Sequence, residues 1–364
     1  MAVDVHTKLD DLFAQELELC GIEEENTVAV VTQGRKRLLY ADGFRRAAES
    51  LGASAFHVDL VPSNAPDDGG ELGVRAADTG LTDFGPVLVS AFQECDLVVD
   101  LVFLLWSEEQ AQIKSAGTRM LSCVEPPATL RRLFPFPGLR EGVLAARQLL
   151  EEASQIRIVD ETGTDVTYDI GQYRRHHQYG IADEPGRWDH FASAMVGTVG
   201  NDEGVNGTVI LKPGDIVFPY SRYIADLVEI TIRDGRVERV EGGLDAAMIR
   251  EYLESFDDER GYGISHIGWG MHPGARWDAL STGQWQASET DTIGIGMDSR
   301  SYLGRVMFST GPNVEFGGDN DTACHLDIPM QGCSVYLDDE PVIDRDRLLP
   351  DEIRSLVQPE ANVA

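Results

Sequence analysis

Lysine is nearly missing from this chain. Lys8, Lys36, Lys114 and Lys212 are the only lysines among 30 basic residues, set against 62 Asp plus Glu, for a formal net charge of −32. A field of that sign repels phosphate backbones and excludes nucleic acid as a natural partner. The acid is spread along the sequence, which describes a solvated anionic surface and not an acidic tail. A salt-rich setting would favour such a surface, although an Arg-rich, Lys-poor composition explains the lysine shortage equally well. Cysteine is scarce too. Cys20, Cys95, Cys123, Cys324 and Cys333 are odd in number and make no C-x-x-C, so neither a disulfide framework nor a zinc clip is indicated. That usage fits a reducing cytosol. Long apolar runs are absent: the stretch from Leu97 to Trp106 is interrupted by Asp100 and is too short to span a bilayer. The N-terminal MAVDVHTKLDDLFAQ is acidic and amphipathic, without the basic start of a signal peptide. The expectation is a cytoplasmic protein with no membrane partner. No G-x-G-x-x-G follows the first strand-like run, and TQGRKR lacks its spacing, so a dinucleotide-binding reading is poor.

What is present describes a globular protein of two parts. At 364 residues and 42% hydrophobic content the chain exceeds the size at which single cores stop growing. Strand-like runs at 27–32, 54–60 and 97–105 alternate with helical patterns at 38–51, 86–94 and 107–116. RMLSCVE at 119–125 and a helix at 142–153 follow. This is the texture of an α/β domain with a parallel sheet, residues 1–154. The segment 63–81 is polar and Gly-rich and reads as a loop. Residues 155–364 read as an α+β, strand-rich domain. IRIVDETGTDVTYDIG turns at Glu161-Thr162-Gly163 and DLVEITIRDGRVERVEGG turns at Arg233-Asp234-Gly235, both hairpin signals. Helices are expected at 244–255 and 350–357, and Asp338-Asp339-Glu340 as a turn between strands.

Histidine is concentrated in this second part. Six of the eight lie there, all of them in HHQYGIADEPGRWDH (176–190), YGISHIGWGMHP (262–273) and DTACHLDIP (321–329). On a strand, residues i and i+2 project from one side, so His325 and Asp327 can chelate one ion together. With His266 they make the ligand set of a 2-His-1-carboxylate triad, which holds Fe(II) on one face and leaves positions open for substrate and O2. His272 has the weaker context of an exposed loop. His190, beside Asp189, reads as an imidazole oriented by a carboxylate and able to act as acid or base. His176 and His177, after Arg174-Arg175, read as a basic surface patch, and Cys324 as core. Gly-Trp-Gly and Glu-Pro-Gly-Arg-Trp set flat aromatics beside turns, as the walls of a pocket require.

YGIADEPGRWDH, YGISHIGWG, FSTGPNVEFGG and CHLDIP, in this order and spacing, resemble the 2,5-dihydroxypyridine 5,6-dioxygenases of nicotinate catabolism, a family sharing its fold with aminopeptidase S/T-type metallopeptidases. LVVDLVFLLWSEEQ (97–110) and VEPP (124–127) extend the resemblance over nearly the whole chain. It implies Fe(II) held by His266, His325 and Asp327, the same three residues. It implies ring opening of 2,5-dihydroxypyridine or a related ring with both atoms of O2, and a homo-oligomer. His190 is then the group that hydrogen-bonds the ring or oxygen, with Arg187 and Glu184 supporting it. Trp188, Trp269, Trp106 and Gln178 fall at the pocket wall. The family pattern implies a histidine where this chain has Trp106 and an acid where it has Gln178, and both differences bear on the substrate. The alternative is a metallo-aminopeptidase of the same fold, which needs two metal ions bridged by carboxylates; Glu315 is the acid nearest in sequence to that role. A third reading is a binding protein that kept the scaffold.

Overall fold

A computed structural model describes residues 5–61, 85–105, 107–283, 286–287 and 292–358. The loop expected at 63–81 and the side chain of Trp106 lie outside that set. In the first part, Ser54–Leu60, Thr27–Gln33, Leu97–Asp100 and Arg119–Ser122 lie side by side in that spatial order, all parallel. The helices Leu38–Ser50, Gly85–Gln93 and Glu108–Ser115 fall between them in sequence. Both faces of this sheet are covered, as parallel sheets require. Val28 and Val30 pack into one core while Ala29 and Val31 pack into another with Val98, Met120 and Trp188.

The strand expected to run from 97 to 105 stops at Asp100, whose carboxylate accepts the backbone N–H groups of Val102, Phe103 and Leu104 at 2.9, 2.8 and 2.7 Å. A carboxylate that satisfies three successive amides supplants the sheet ladder and turns the chain. The apolar residues beyond it become the rim of a cavity instead of more strand.

The second part is antiparallel. An eight-stranded sheet runs, in spatial order, Arg236–Gly242, Val228–Arg233, Val205–Leu211, Asp165–Asp169, Gln155–Val159, Ser334–Leu337, Glu340–Asp344 and Arg347–Leu348. Both expected hairpins are in it. Asp160 closes one by accepting from the amides of Thr162, Gly163 and Thr164. Asp234 and Gly235, at φ 49° and 73°, close the other, the left-handed pair that matches strand twist. A five-stranded sheet carries the histidine-rich segments, in the order Leu326–Met330, Val306–Thr310, Ile264–Gly270, Met195–Val199 and His176–Gln178. Leu139–Glu152 buries Leu139, Gly142, Val143, Ala146 and Leu150, one face at helical spacing, and the C-terminal helix Asp351–Val357 packs across it.

One strand joins the two parts. Trp188–His190 leaves the histidine-rich segment and pairs parallel with Arg119–Ser122 as the fifth strand of the first sheet. The fold is therefore a parallel α/β sheet followed by strand-rich antiparallel sheets, with His190 delivered to the seam.

Candidate metal centre

His266, His325 and Asp327 converge. Each offers one ligand atom, and these atoms lie within 4.8 Å of one another. Local backbone explains how. His266 lies in Ile264–Gly270, buried along its whole length, at a point where the register against Val306–Thr310 shifts between Ile264 and Ile267. An irregularity of that kind re-aims a side chain. Gly268 faces Gly197 across the neighbouring strand, and a Cβ on Gly268 would stand 2.1 Å from the Val196 carbonyl oxygen. Only glycine allows that approach. His325 immediately precedes Leu326–Met330 and Asp327 is two residues on, so both project from one side of the strand. Cys324 points away into the core, fully buried.

The donor set fits one ion. Asp327 Oδ1 stands 3.2 Å from His266 Nε2 and 3.2 Å from His325 Nε2. Two donors bound at right angles to one ion at about 2.1–2.2 Å are about 3 Å apart. The other carboxylate oxygen, Oδ2, accepts from Arg300 Nε at 3.0 Å and Nη2 at 2.8 Å. Burial alone would raise the Asp327 carboxyl, but His325, Arg300 and His266 hold it well below the ordinary range, so it is an anion. Burial works against a charge on His266, yet neighbouring Asp327 lifts its pKa above that of a free imidazole. Among the described residues this is the one group of three or more such side chains that could hold a metal ion.

The three side chains line a cavity of about 100 Å³. Phe103, Leu105, Met195, Met307 and Phe316 make its walls apolar, while His176, Gln178, Trp188, His190, Arg300 and Glu315 also line it. His190 is buried, its pKa pushed down to about 3 by burial and by Arg300, so the ring is neutral; among the described residues its Nε2 has no hydrogen-bond partner. Its ring is not oriented by Asp189, contrary to the expectation. That carboxylate accepts instead from the backbone amides of Tyr179, Gly180 and His190 and from Arg187 Nη2 at 2.5 Å. Arg187 also donates to the Ile181 carbonyl and lies over the Tyr179 ring at 3.8 Å, behind the cavity wall. Glu184 pairs with Arg140 at the surface. Trp269 is 1% exposed in the core and lies outside the cavity lining.

The basic surface patch expected around residues 174–177 is not there. Arg175 is buried with its guanidinium on the carbonyls of Leu150 and Ala153, where the C-terminus of the preceding helix accumulates negative potential. His176 and Gln178 alternate with His177 on the strand; the first two line the cavity while His177 turns to Arg187 Nη1, 3.1 Å away. His272, expected on an exposed loop, is buried, its Nδ1 accepting from the Gly274 amide. Sequence reasoning missed Arg300, Phe103, Phe316 and His176 as parts of the site. Only the i, i+2 spacing of His176 and Gln178 carried a signal.

Comparisons with known proteins agree with this geometry. Residues 8–350 match the model of the 2,5-dihydroxypyridine 5,6-dioxygenase family, NicX. A 2,5-dihydroxypyridine 5,6-dioxygenase of Pseudomonas putida KT2440 is 38% identical over 352 residues, 96% of this chain and 99% of the relative. The solved structure of the 2,5-dihydroxypyridine dioxygenase from Pseudomonas putida KT2440 superimposes with a TM-score of 0.89 at 37% identity, covering 97% of this chain and all of the other, 100%. AmpT from Thermus thermophilus shares the fold at a TM-score of 0.55 and 13% identity, over 94% of this chain and 99% of its own. With its motifs in register and its length matched end to end, the chain belongs to the 2,5-dihydroxypyridine 5,6-dioxygenase family.

Proposed function

We propose that this chain is a non-haem Fe(II) dioxygenase that opens 2,5-dihydroxypyridine or a closely related hydroxylated ring and incorporates both atoms of O2. The observation that carries the reading is a two-imidazole, one-carboxylate set in the wall of a largely apolar cavity of about 100 Å³. An apolar cavity of roughly 150 Å³ holds a benzene molecule, so this volume is on the scale of one small ring and not of a peptide. His266, His325 and Asp327 would hold the metal; when bound, Fe(II) supplies open coordination positions and passes electron density from an electron-rich ring to O2.

The remaining roles belong to side chains. Arg300 fixes one oxygen of Asp327 so that the other faces the two imidazoles. Neutral His190 offers Nε2 to a ring hydroxyl or to oxygen, and can take up or return a proton there. Phe103 and Leu105, from the part comprising residues 1–154, close the cavity against water over residues 155–364, which supply the ligands. A peptidase of the shared fold would need carboxylates bridging a second ion, and the described residues offer a single three-ligand cluster. The reading includes a homo-oligomer, as the family resemblance implies, and a reducing cytoplasm, which five buried, free cysteines support; no described helix is long and apolar enough to cross a membrane.

The test is anaerobic reconstitution with Fe(II), followed by oxygen uptake against dihydroxypyridines, catechols and gentisate-like rings. The expected result is one O2 consumed per ring, with loss of the ring absorbance and about one iron per chain. Leucyl-anilide hydrolysis without oxygen uptake would replace this reading with the peptidase.

A further inference from the structure

We infer that Gln178, locked by Ser193 behind it and His176 beside it, decides which edge of a heterocycle the pocket accepts. It presents a fixed amide N–H, and so selects rings that carry a hydrogen-bond acceptor, a carbonyl oxygen or an unprotonated ring nitrogen, at that edge. The inference rests on the ring-binding reading of the cavity and adds to it the chemistry of one wall.

A glutamine amide normally leaves its polarity open, because oxygen and nitrogen exchange places by a half-turn. Here the neighbours fix it. Ser193 is fully buried, and its Oγ lies 2.5 Å from Gln178 Oε1. That separation falls within the range of an O–H···O bond and is too short for an N–H···O bond, so the hydroxyl donates and the atom facing it is the carbonyl oxygen. The nitrogen then faces His176 Nε2 at 3.0 Å. An amide nitrogen only donates, so His176 Nε2 accepts and the imidazole carries its proton on Nδ1. Burial above all pushes the His176 pKa down to about 3, which agrees with an accepting Nε2. Its plane is set by packing, with Trp188 6.4 Å away on one side and Phe316 edge-on at 5.7 Å. The serine contact excludes the flipped amide, which would put a nitrogen too close to the hydroxyl oxygen, and the His176 tautomer follows from that orientation.

One hydrogen of the amide remains. Gln178 and His176 both line the cavity, whereas Ser193 lies outside the lining. Among the described residues the second N–H meets no acceptor, so its partner is the bound ring. Ser193 is a positioning residue that acts through Gln178. A carboxylate in the same place would invert the wall, accepting a ring N–H where the amide offers one.

The experiment uses two inert rings that differ only in the acceptor, 3-hydroxypyridine and phenol. Each is titrated anaerobically into the full-length protein by quenching of tryptophan fluorescence, with wild type, Gln178→Glu and Ser193→Ala compared. Wild type should bind the pyridine about tenfold more tightly, the worth of one buried hydrogen bond. Gln178→Glu should erase or reverse that ratio, and Ser193→Ala, which frees the amide to turn, should bring it close to one. A merely structural role for Ser193 would weaken both rings alike and leave the ratio standing. Gln178→Glu is nearly isosteric and carries the test alone where the serine variant loses its cooperative thermal transition. A wild-type ratio near one, or a ratio unchanged in Gln178→Glu, overturns the inference even where oxygen uptake on 2,5-dihydroxypyridine is intact. The expected ratios with no oxygen uptake on any ring would sink the dioxygenase reading and leave the donor wall standing.

Discussion

Arg300 governs how Asp327 presents its charge. Both of its inner nitrogens converge on Oδ2, leaving Oδ1 between the imidazoles, and its side chain is nearly buried over the Phe218 ring at 4.0 Å. Removing a partner that orients a ligand generally costs 10–100-fold in metal affinity or activity. Arg300→Gln should therefore weaken Fe(II) binding by about that factor, read by chelator competition, while His266→Ala or Asp327→Ala should abolish stoichiometric binding. Equal iron affinity in wild type and Arg300→Gln would show that Asp327 needs no such brace. The candidate pair is legible in the sequence, because the period of a strand puts His325 and Asp327 on one side without reference to anything distant. Arg300 was not legible. It belongs to a short helix, Met297–Arg300, and its meaning arises only when that turn is folded over the five-stranded sheet. The same holds for His176, whose arginine neighbours suggested a wet surface until Arg175 proved to be capping a helix from inside.

At the scale of elements, the segment from Ile295 to Arg300 hangs from the first part of the chain. The Glu125 carboxylate accepts from the amides of Ile295 at 2.9 Å and Met297 at 3.2 Å, and both residues line the cavity. Burial, then the charge of Asp298, raise the Glu125 pKa to about 7. The folded chain thus holds this proton between the ordinary carboxylate value and about pH 7, where the unfolded chain has released it. The contribution of Glu125 to stability is full below about pH 4.5 and is lost as pH rises to about 7, an effect of order 1–3 kcal/mol. Glu125→Gln should flatten that decline, measured as the difference in unfolding free energy between variant and wild type from pH 4.5 to 8. An identical pH slope in both would assign the effect elsewhere. Gly268 makes a second case. A methyl group there meets the Val196 carbonyl, so Gly268→Ala should cost about 1–3 kcal/mol by overpacking and should weaken iron binding by displacing the strand that carries His266. Elements of this kind were readable where the local pattern decides them, as in both hairpins and the helix Leu244–Ser255. The strand at 97 is shorter than its apolar pattern suggests because the three amide bonds to Asp100 leave no trace in hydrophobicity.

Over the whole molecule, 62 acidic residues against 30 basic ones place like charges within a screening length of one another across the surface. Their repulsion opposes compaction and is weakened by salt. The melting temperature should therefore rise between 0.05 and 1 M NaCl by several degrees, tracked by circular dichroism, and a flat or falling trend would mean that local ion pairs already neutralise the surface. The two-part organisation could be read from texture, since parallel and antiparallel strands differ in periodicity. The join could not, because Trp188-Asp189-His190 is too short to announce a strand and its partner lies far back in the chain.

That join has a consequence for synthesis. Arg119–Ser122 receives its outer neighbour only when residues 188–190 have been made. Until then the nascent chain displays an open row of backbone donors and acceptors, the template on which other copies add strands. A fragment ending at residue 154 should accumulate in inclusion bodies, whereas the full chain made under the same conditions stays in the supernatant. Emergence of a three-residue segment from the ribosome would then mark the moment at which the first half becomes safe from its neighbours.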